Sequence, residues 1–330
     1  MPANAWQSKD IKTSVKPDSA AKKITIVQDN SFALLKYDEF SLKPGEKVEF
    51  LQPDSQSSVL ILVEGTSPTV IAGRIYANGR IIIVNPNGII FEKSSEIAAS
   101  GFSASTYLFT DEEFLTGNFK NLIGIRQVLN LKDGIEVHGK IQAESGDVFL
   151  LGEAVTQSGI IEARHQNDGG FIRIISSDTT LISGILDASS GESGIGGRIQ
   201  VLGAKVGLTG AEVNASGDRD GGEVLVGGDY KGQNAEIPNA LRTFVGASST
   251  ITADARSNGN GGKVVVWADE VARFYGTISA QGGEAAGDGG FVEVSGKEYL
   301  AFRGTVNTLA PHGKTGTLLL DPANIAISNG

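Results

Sequence analysis

Short apolar runs rich in β-branched residues recur along the chain, separated by polar turn residues. Ile81–Val84 form one such run, and another begins at Ile89. β-branched residues in runs of this length favour strands. The intervening Asn85-Pro86-Asn87-Gly88 predicts a tight turn, because proline fixes φ and removes a donor while an Asn-Gly pair tolerates left-handed backbone. The pattern therefore predicts a strand, a turn and a second strand.

Gly-Gly pairs open similar units in the second half of the chain. The pairs begin at positions 169, 196, 221, 261 and 289, at intervals of 27, 25, 40 and 28 residues. Each pair leads into an alternating run such as Lys263-Val-Val-Val-Trp267. A period in the twenties with several short strands is typical of a solenoid, whose stacked coils pair in parallel around one core. The repeat predicts an all-β, right-handed parallel β-helix with the Gly-Gly pairs at its corners.

Two segments lack the strand alternation and predict loops outside the coils. They lie near 109–122 and 229–244, and the second accounts for the 40-residue interval, with one helical turn expected at Asn239–Arg242. An open solenoid end exposes unpaired backbone groups and needs a cap. Alternating runs within 24–63 are expected to supply it as antiparallel strands.

The predicted domain organisation is simple. Residues 1–22 are expected to be a flexible N-terminal segment, and residues 23–330 a single β-helix domain that includes both loops. Ala3-Asn4-Ala5 resembles a signal-peptidase site, but no apolar region precedes it, so a signal remnant and a cloning scar both stay open.

Composition narrows the function classes. The chain has 44 glycines, but 40% of its residues are hydrophobic, which argues against a disordered glycine-rich linker. The net charge of −10 disfavours duplex nucleic acid as a partner. The sequence has no apolar run as long as the roughly 18 residues of a membrane-spanning helix. The absence of cysteine fits the cytosol, and it also fits an exported chain that crosses an oxidising periplasm unfolded.

No residue pattern points to catalysis or to a metal. The three histidines, His138, His165 and His312, are far apart in sequence, and neither a nucleophile elbow nor a P-loop occurs. The Asp111–Glu113 run is interpreted as a solvated charge cluster. Four aspartates stand beside turn residues, where Asp normally caps the backbone: Asp187, Asp218, Asp220 and Asp254. No enzyme, metal or cofactor is expected. Trp267 is interpreted as a core or corner residue, with a sugar-binding platform as the alternative.

The Ile81–Phe91 block resembles the NPNG signature of the amino-terminal secretion domain in filamentous-haemagglutinin-like exoproteins of two-partner secretion. Further blocks resemble the same family in the expected order, including the supporting motif Gly101-Phe102-Ser103-Ala104-Ser105-Thr106 and three blocks similar to the pro-piece of the high-molecular-weight adhesins. These blocks are Phe40–Pro53, Ile71–Gly79, Gly101–Thr106, Gly261–Ala268, Gly289–Gly296 and Leu318–Ile327. The resemblance covers about residues 25–328.

The chain departs from the family in two places. The family often has an L-N-R-V segment where this chain reads Leu60-Ile-Leu-Val63, and the common N-P-N-L signature is missing. The departures leave the fold prediction intact. They leave open which transporter subtype would recognise the domain.

The resemblance implies a secretion-signal and folding-template domain without a catalytic site. POTRA domains of a partner outer-membrane transporter would recognise it in the periplasm as an extended chain. The chain would then cross the outer membrane of a Gram-negative bacterium, fold at the surface or outside, and template a downstream β-helix. A monomer is expected, and a host receptor or glycan would be contacted through the parent protein.

Two other functions stay open. The segment could be a β-helical adhesin module that binds host glycan or protein directly, or a β-helical carbohydrate-active enzyme. The site Asn85, Pro86, Asn87, Gly88 and Ile89 also has two interpretations. The turn could serve only to fold the coil, or the transporter could recognise it directly.

Overall fold

The computed structural model describes residues 13–18, 22–107 and 134–322. These residues form short β-strands and turns, with a 3₁₀ turn at Tyr230–Gly232. They fall into two compact units, one within Met1–Ala163 and one within Arg164–Gly330. In the part of the chain described, no helix is long and apolar enough to span a membrane. The loop expected near 109–122 and the Asp111–Glu113 cluster lie outside the described residues.

The first unit consists of strands stacked in three parallel columns. Its strands are β1 (Thr13–Asp18), β2 (Lys23–Gln28), β3 (Phe32–Tyr37), β4 (Lys47–Leu51), β5 (Ser58–Val63), β6 (Thr69–Ile71), β7 (Arg74–Ala77), β8 (Arg80–Val84), β9 (Ile89–Phe91), β10 (Glu96–Ala99), β11 (Gly101–Ser105), β12 (Ile135–Val137), β13 (Lys140–Ala143), β14 (Val148–Gln157) and β15 (Ile160–His165). One column follows β3-β5-β8-β11-β14, a second follows β6-β9-β12-β14, and the third follows β2-β4-β7-β10-β13-β15. This pairing is that of the predicted parallel β-helix, a topology whose crossovers are almost always right-handed.

The antiparallel cap lies elsewhere than the sequence indicated. Strands β2 and β4, within the predicted cap of 24–63, pair in parallel with Lys23 opposite Lys47, and they belong to the coil stack. The antiparallel partner of β2 is β1, with Thr13 opposite Gln28. The prediction of antiparallel strands across 24–63 was therefore wrong. Alternation gives each strand one apolar face, and a coil interior buries that face as readily as a cap does.

The second unit repeats the same three-strand coil. Its strands are β16 (Asp168–Gly169), β17 (Phe171–Ile182), β18 (Ile185–Asp187), β19 (Arg198–Leu202), β20 (Lys205–Leu208), β21 (Glu212–Asn214), β22 (Glu223–Val226), β23 (Arg242–Val245), β24 (Thr250–Thr252), β25 (Lys263–Ala268), β26 (Val271–Phe274), β27 (Thr277–Ser279), β28 (Phe291–Gly296), β29 (Tyr299–Phe302), β30 (Thr305–Asn307) and β31 (Thr317–Leu319). The columns are β17-β19-β22-β25-β28-β31, β17-β20-β23-β26-β29 and β18-β21-β24-β27-β30, all paired in parallel.

The core of this unit is a set of apolar ladders. Ile199, Val224, Val264 and Val292 occupy the same register position in four successive coils, and none has measurable solvent exposure. Full burial of such a side chain stabilises the fold by about 1.5–3 kcal/mol. The ladder arises because side chains at period two along each strand point inward.

The segment between β22 and β23 leaves the coil, in the region expected to loop out. Its 3₁₀ turn at Tyr230–Gly232 begins after Asp229, whose carboxylate accepts the Tyr230 N–H at 2.6 Å. The helical turn expected at Asn239–Arg242 was wrong, since Arg242 already starts β23. The turn forms earlier in the loop, directly after Asp229, because the Asp229 carboxylate accepts a backbone N–H that the start of a helix leaves unpaired.

The Gly-Gly pairs lie at corners where successive coils approach closely. A Cβ atom on Gly222 would collide with the carbonyl oxygen of Gly197 in the previous coil. The residues before the pairs at 221, 261 and 289 add a polar ladder. The Asp220 carboxylate accepts the Asn260 N–H at 2.8 Å, and the Asn260 side chain accepts the Asp288 N–H at 2.8 Å. Glycine and Asx residues together fix the spacing of successive coils at this corner.

This geometry predicts that Gly222→Ala destabilises the protein. The added methyl must push two coil backbones apart, and overpacking of this kind typically costs about 1–3 kcal/mol. The free energy of unfolding, measured by chemical denaturation, should fall by at least that amount.

Gly191→Ala is the matched control. A Cβ at Gly191 would meet its nearest neighbour, the Asn167 carbonyl oxygen, at an ordinary 3.5 Å. We expect a change within about 0.5 kcal/mol for this variant. Equal stability of the two variants would contradict the role assigned to close coil contact at the Gly-Gly corner.

Candidate functional site

The Asn-Pro-Asn-Gly turn connects β8 to β9, and Asn85 lies at its buried centre. Asn85 has no measurable solvent exposure. Its Nδ2 donates to the Ser67 carbonyl oxygen and to the Thr69 hydroxyl, both at 3.0 Å. Its Oδ1 accepts the backbone N–H of Asn87 at 2.9 Å. One amide side chain therefore closes its own turn and ties that turn to the preceding coil.

The rest of the turn adds further links to neighbouring coils. Asn87 is half-buried, and its Nδ2 donates to the Gly65 carbonyl oxygen at 2.8 Å. Gly88 has a φ of 102°, in the left-handed region that favours glycine, and its carbonyl oxygen accepts the Thr69 N–H at 3.0 Å. Pro86 is half-buried at the position that its fixed φ suits.

Backbone hydrogen bonds join the same turn to the coil that follows. The Asn85 N–H donates to the Ser105 carbonyl oxygen at 3.0 Å, and the Ile89 N–H donates to the Gly134 carbonyl oxygen at 3.2 Å. The turn is thus bonded to the coils on both sides. Only Pro86 and Asn87 of its four residues keep partial exposure.

The supporting motif at Gly101–Thr106 forms the coil next to this turn. Strand β11 pairs with β8, which places Phe102 opposite Ile81 and Ala104 opposite Ile83. The Phe102 ring meets the Phe91 ring edge-on, with centroids 5.6 Å apart, so the two motifs share one apolar core. The last residues of the motif are also buried, and the Thr106 N–H donates to the Leu151 carbonyl oxygen at 3.0 Å.

A second amide network, between buried Gln52 and exposed Asn78, was not predicted as a site from the sequence. The Gln52 N–H donates to Asn78 Oδ1 at 2.7 Å, and Asn78 Nδ2 donates back to the Gln52 carbonyl oxygen at 2.8 Å. The Gln52 side chain is buried and donates to the Ser57 carbonyl oxygen at 3.1 Å. Gln52 and Asn78 each lie near the end of a block that resembles the family, Phe40–Pro53 and Ile71–Gly79. The sequence signal that could have identified them is an amide residue directly after an apolar run.

The aspartates beside turns cap the backbone, as expected. Asp254 Oδ1 accepts the Gln281 N–H at 2.7 Å, and Asp187 Oδ1 accepts the Ser189 N–H at 2.9 Å. Hydrogen bonds from the Ser257 hydroxyl and the Ser193 N–H hold the pKa of the Asp218 carboxyl below its usual range. The described residues contain no group of three or more His, Cys, Asp or Glu side chains that could hold a metal ion.

One cluster has the composition of a catalytic triad. The His138 ring contacts the Glu136 carboxylate at 3.0 Å and the Ser158 hydroxyl at 2.7 Å. Acyl transfer also needs free N–H groups to stabilise an oxyanion. The N–H groups of Ser158 and Gly159 both donate to the Val137 carbonyl oxygen, so neither is free beside the hydroxyl. The cluster joins adjacent coils.

Trp267 lies beneath the loop that joins β22 to β23. Its side chain belongs to an apolar cluster outside the coil interior, and only 4% of the residue is exposed. A Cβ on Gly232 would meet the indole ring at 2.6 Å, so the loop backbone covers the ring directly. The core interpretation is confirmed and the sugar-platform alternative is wrong, because no open ring face is left. The cluster consists of Leu202, Leu225, Ile237, Val265 and Trp267.

The same loop rests on a buried carboxylate. Glu293 has no measurable exposure and accepts the Lys231 N–H at 3.1 Å. Burial raises the pKa of the Glu293 carboxyl, and the nearby Asp321 carboxylate adds to the rise. A short polar contact therefore anchors the loop at the cost of a charge held away from water.

The buried amide predicts a graded response to alanine substitution at the turn. Asn85→Ala leaves buried partners unpaired, and we expect a loss of about 1–3 kcal/mol in the free energy of unfolding. Asn87→Ala should cost less, about 0.5–1.5 kcal/mol, because Asn87 is half-exposed. Chemical denaturation measures both losses, and exposed Asn30→Ala is the control. The reverse order of losses would contradict the geometry.

Glu293 predicts a pH-dependent stability. The folded-state pKa of the Glu293 carboxyl is raised. This shift contributes fully to the free energy of unfolding below the unfolded-state pKa, and the contribution is lost as the pH rises through the folded-state pKa. We expect Glu293→Gln to raise the Tm at pH 7.5, with a gain that shrinks as the pH falls toward about 4.

Glu284→Gln is the control for this pH series, because Glu284 is exposed. Its Tm should match that of the unmodified chain at both pH values. A lower Tm for Glu293→Gln at pH 7.5 would show that the charge of Glu293 is needed for its contact with the loop.

Comparison with known proteins places this architecture in a family. The family described as "TPS secretion domain" matches residues 4–224. The heme/hemopexin-binding protein of Haemophilus influenzae strain Rd is 34% identical over 148 residues, which are 43% of this chain and 16% of that protein. A second Haemophilus influenzae heme/hemopexin-binding protein is 32% identical over 88 residues, which are 27% of this chain and 10% of that protein. The matched part of this chain therefore spans less than a fifth of the length of these relatives.

A solved structure shares the fold across almost the whole chain. The HMW1 secretion domain from Haemophilus influenzae superimposes with a TM-score of 0.57 at 24% sequence identity, covering 96% of this chain and 99% of that one. This likeness agrees with the parallel β-helix seen in each unit. The family match spans 221 of 330 residues, so the chain belongs to the TPS secretion domain family, the secretion domains of two-partner secretion exoproteins.

Proposed function

We propose that this chain is the secretion-signal and folding-template domain of a longer exoprotein, recognised by the POTRA domains of a partner outer-membrane transporter. The observation that carries the proposal is the Asn85 network, in which one buried side chain ties a turn to the preceding coil. The relatives are more than twice as long as this chain, which supports a large passenger. Residues 23–330 would act together as the module.

The burial of Asn85 constrains how the transporter could use this motif. A side chain without solvent exposure offers nothing to a partner once the coil has formed. Direct recognition of Asn85 would therefore require the extended chain, before folding. An extended segment with alternating side chains can add to an exposed sheet edge through main-chain hydrogen bonds. After export, the same residues would close the turn and fix its coil.

The last described coil supports the template role. Within the described residues, β29, β30 and β31 each pair with strands of the preceding coil and with no later strand. Leu318 is 40% exposed and Leu300 is partly exposed, whereas their register partners in the preceding coil, Val292 and Ala272, have no measurable exposure. Unpaired edges over apolar side chains favour the addition of another coil.

No catalysis is proposed for this domain. Its turn aspartates are engaged as backbone caps, and the His138 cluster lacks free oxyanion donors at the serine. Heme or hemopexin binding of the kind named for the relatives would belong to the passenger, at the cell surface or outside the cell.

Secretion of Asn85→Ala plus Asn87→Ala tests the proposal. The full-length parent is expressed with its transporter, and the secreted and periplasmic amounts are measured beside the Tm of the purified domain. We expect secretion and Tm to fall together, because the turn hydrogen bonds contribute about 0.5–1.5 kcal/mol each. Exposed Asn30→Ala should alter neither.

Other outcomes separate the two roles of the motif. An unchanged Tm with lost secretion would assign the motif to recognition by the transporter alone. Unchanged secretion together with unchanged Tm would contradict both roles and remove the main support for the proposal.

A further inference from the structure

One outer face of the second unit combines exposed rings with uncompensated arginines. The parallel register aligns Leu181, Gly207, Phe244, Arg273 and Ala301 in successive coils. Neighbouring strands lie about 4.8 Å apart, so these residues form one continuous column across the surface. Tyr275 directly follows β26 and Arg303 directly follows β29, two of the strands that carry this column, so both residues lie beside it.

The centre of this face is apolar and open to solvent. Phe244 is 38% exposed, and its ring meets the Tyr275 ring at a centroid distance of 5.9 Å and an angle of 62°. Leu181 is 37% exposed and leans over Gly207, where an added Cβ would meet its Cδ1 at 3.0 Å. Because Gly207 has no side chain, a shallow depression remains between Leu181 and Phe244.

Two positive charges border the rings without a negative partner. Arg273 and Arg303 are exposed, and within the described ranges the structure gives neither guanidinium an ion pair or a hydrogen bond. The other cations on this face are neutralised, since Lys205 contacts Asp178 at 2.9 Å and Arg242 contacts Glu270 at 3.3 Å. On a chain with a net charge of −10, this is a local positive patch.

The face offers side chains but no free strand edge. Strands β20, β23 and β26 are each paired in parallel on both sides, so an added peptide strand would find no main-chain partners. A ligand must be held by ring faces and guanidinium groups. Ring faces attract the C–H surface of a pyranose, and guanidinium groups pair with carboxylate or sulfate in a bidentate manner.

We propose that the Phe244–Tyr275–Arg273–Arg303 face binds an acidic polysaccharide. Sugar rings would pack on Phe244 and Tyr275, while carboxylate or sulfate groups would pair with Arg273 and Arg303. This activity is separate from secretion, since it belongs to the folded domain. It would let the folded module contact an anionic glycan.

The test measures binding of a heparin-derived decasaccharide to the purified 330-residue chain by calorimetry. Arg273→Gln plus Arg303→Gln should weaken binding by at least about tenfold, because it removes two charge-assisted contacts. Phe244→Ala should weaken binding by several-fold, and higher ionic strength should weaken it further because salt screens exposed charges. All of these side chains are exposed or partly exposed, so the Tm of each variant should stay unchanged and verify its fold.

Arg198→Gln is the matched control. Arg198 is also exposed and lies 5.4 Å from the centroid of an aromatic ring, that of Phe171, but it belongs to a different column of strands. Its removal should leave binding intact. Oligoglutamate of equal charge tests acidity alone, and neutral maltoheptaose tests sugar rings alone.

Several results would overturn the proposal. These are the absence of decasaccharide binding, an equal loss in Arg198→Gln, or full binding by the double arginine variant. Oligoglutamate binding as tight as that of the decasaccharide would show that the face recognises charge without sugar. Maltoheptaose binding of equal strength would show that the two arginines have no part in recognition.

Discussion

Each inner strand of the coils finds its backbone partners on the coil before and the coil after it, so no coil is complete without neighbours in register. The requirement is strict because side chains alternate with period two. A slip of one residue would turn Val224 and Val264 outward and bring charged neighbours into the core. Burial of the apolar ladders supplies most of the driving force for folding. Because the inward residues of successive coils are similar, they specify poorly which coil pairs with which.

Polar contacts at the corners help to specify which coils pair and in which register. In the first unit, Asn85 and the Gln52–Asn78 pair use side-chain amides to replace backbone partners at turns. In the second, Asx residues before the Gly-Gly pairs receive an N–H from the following coil, and the glycines permit the close approach. A buried amide such as Asn85 costs free energy unless it is hydrogen-bonded, so it favours the one register in which its partners are in place. The Asn85 turn and the Gly-Gly corners thus bond adjacent coils to each other.

The sequence allowed the fold class, the glycine corners and the turn at Asn85 to be predicted, because each depends on local chemistry and on a repeat. It misplaced the antiparallel cap, since the alternation of Lys23–Gln28 is the same for a parallel and an antiparallel neighbour. The burial of Trp267 under Gly232, the Gln52–Asn78 pair and the Phe244–Arg273 face also required the structure. Each joins residues more than about twenty positions apart, and their meeting depends on coil length and loop path, which periodicity in the strands does not encode.

Hydrogen exchange at the Asn85 turn would show directly whether this motif joins adjacent coils. The Asn85 N–H donates to the Ser105 carbonyl oxygen of the following coil, and the Thr69 N–H of the preceding coil donates to the Gly88 carbonyl oxygen of the turn. Both N–H groups should exchange as slowly as the N–H groups of β8 and β11. We expect Asn85→Ala to lower protection against exchange in β8, in β11 and in the turn together. Fast exchange at Asn85 and Thr69 in the unmodified chain, beside fully protected strands, would contradict this role of the motif.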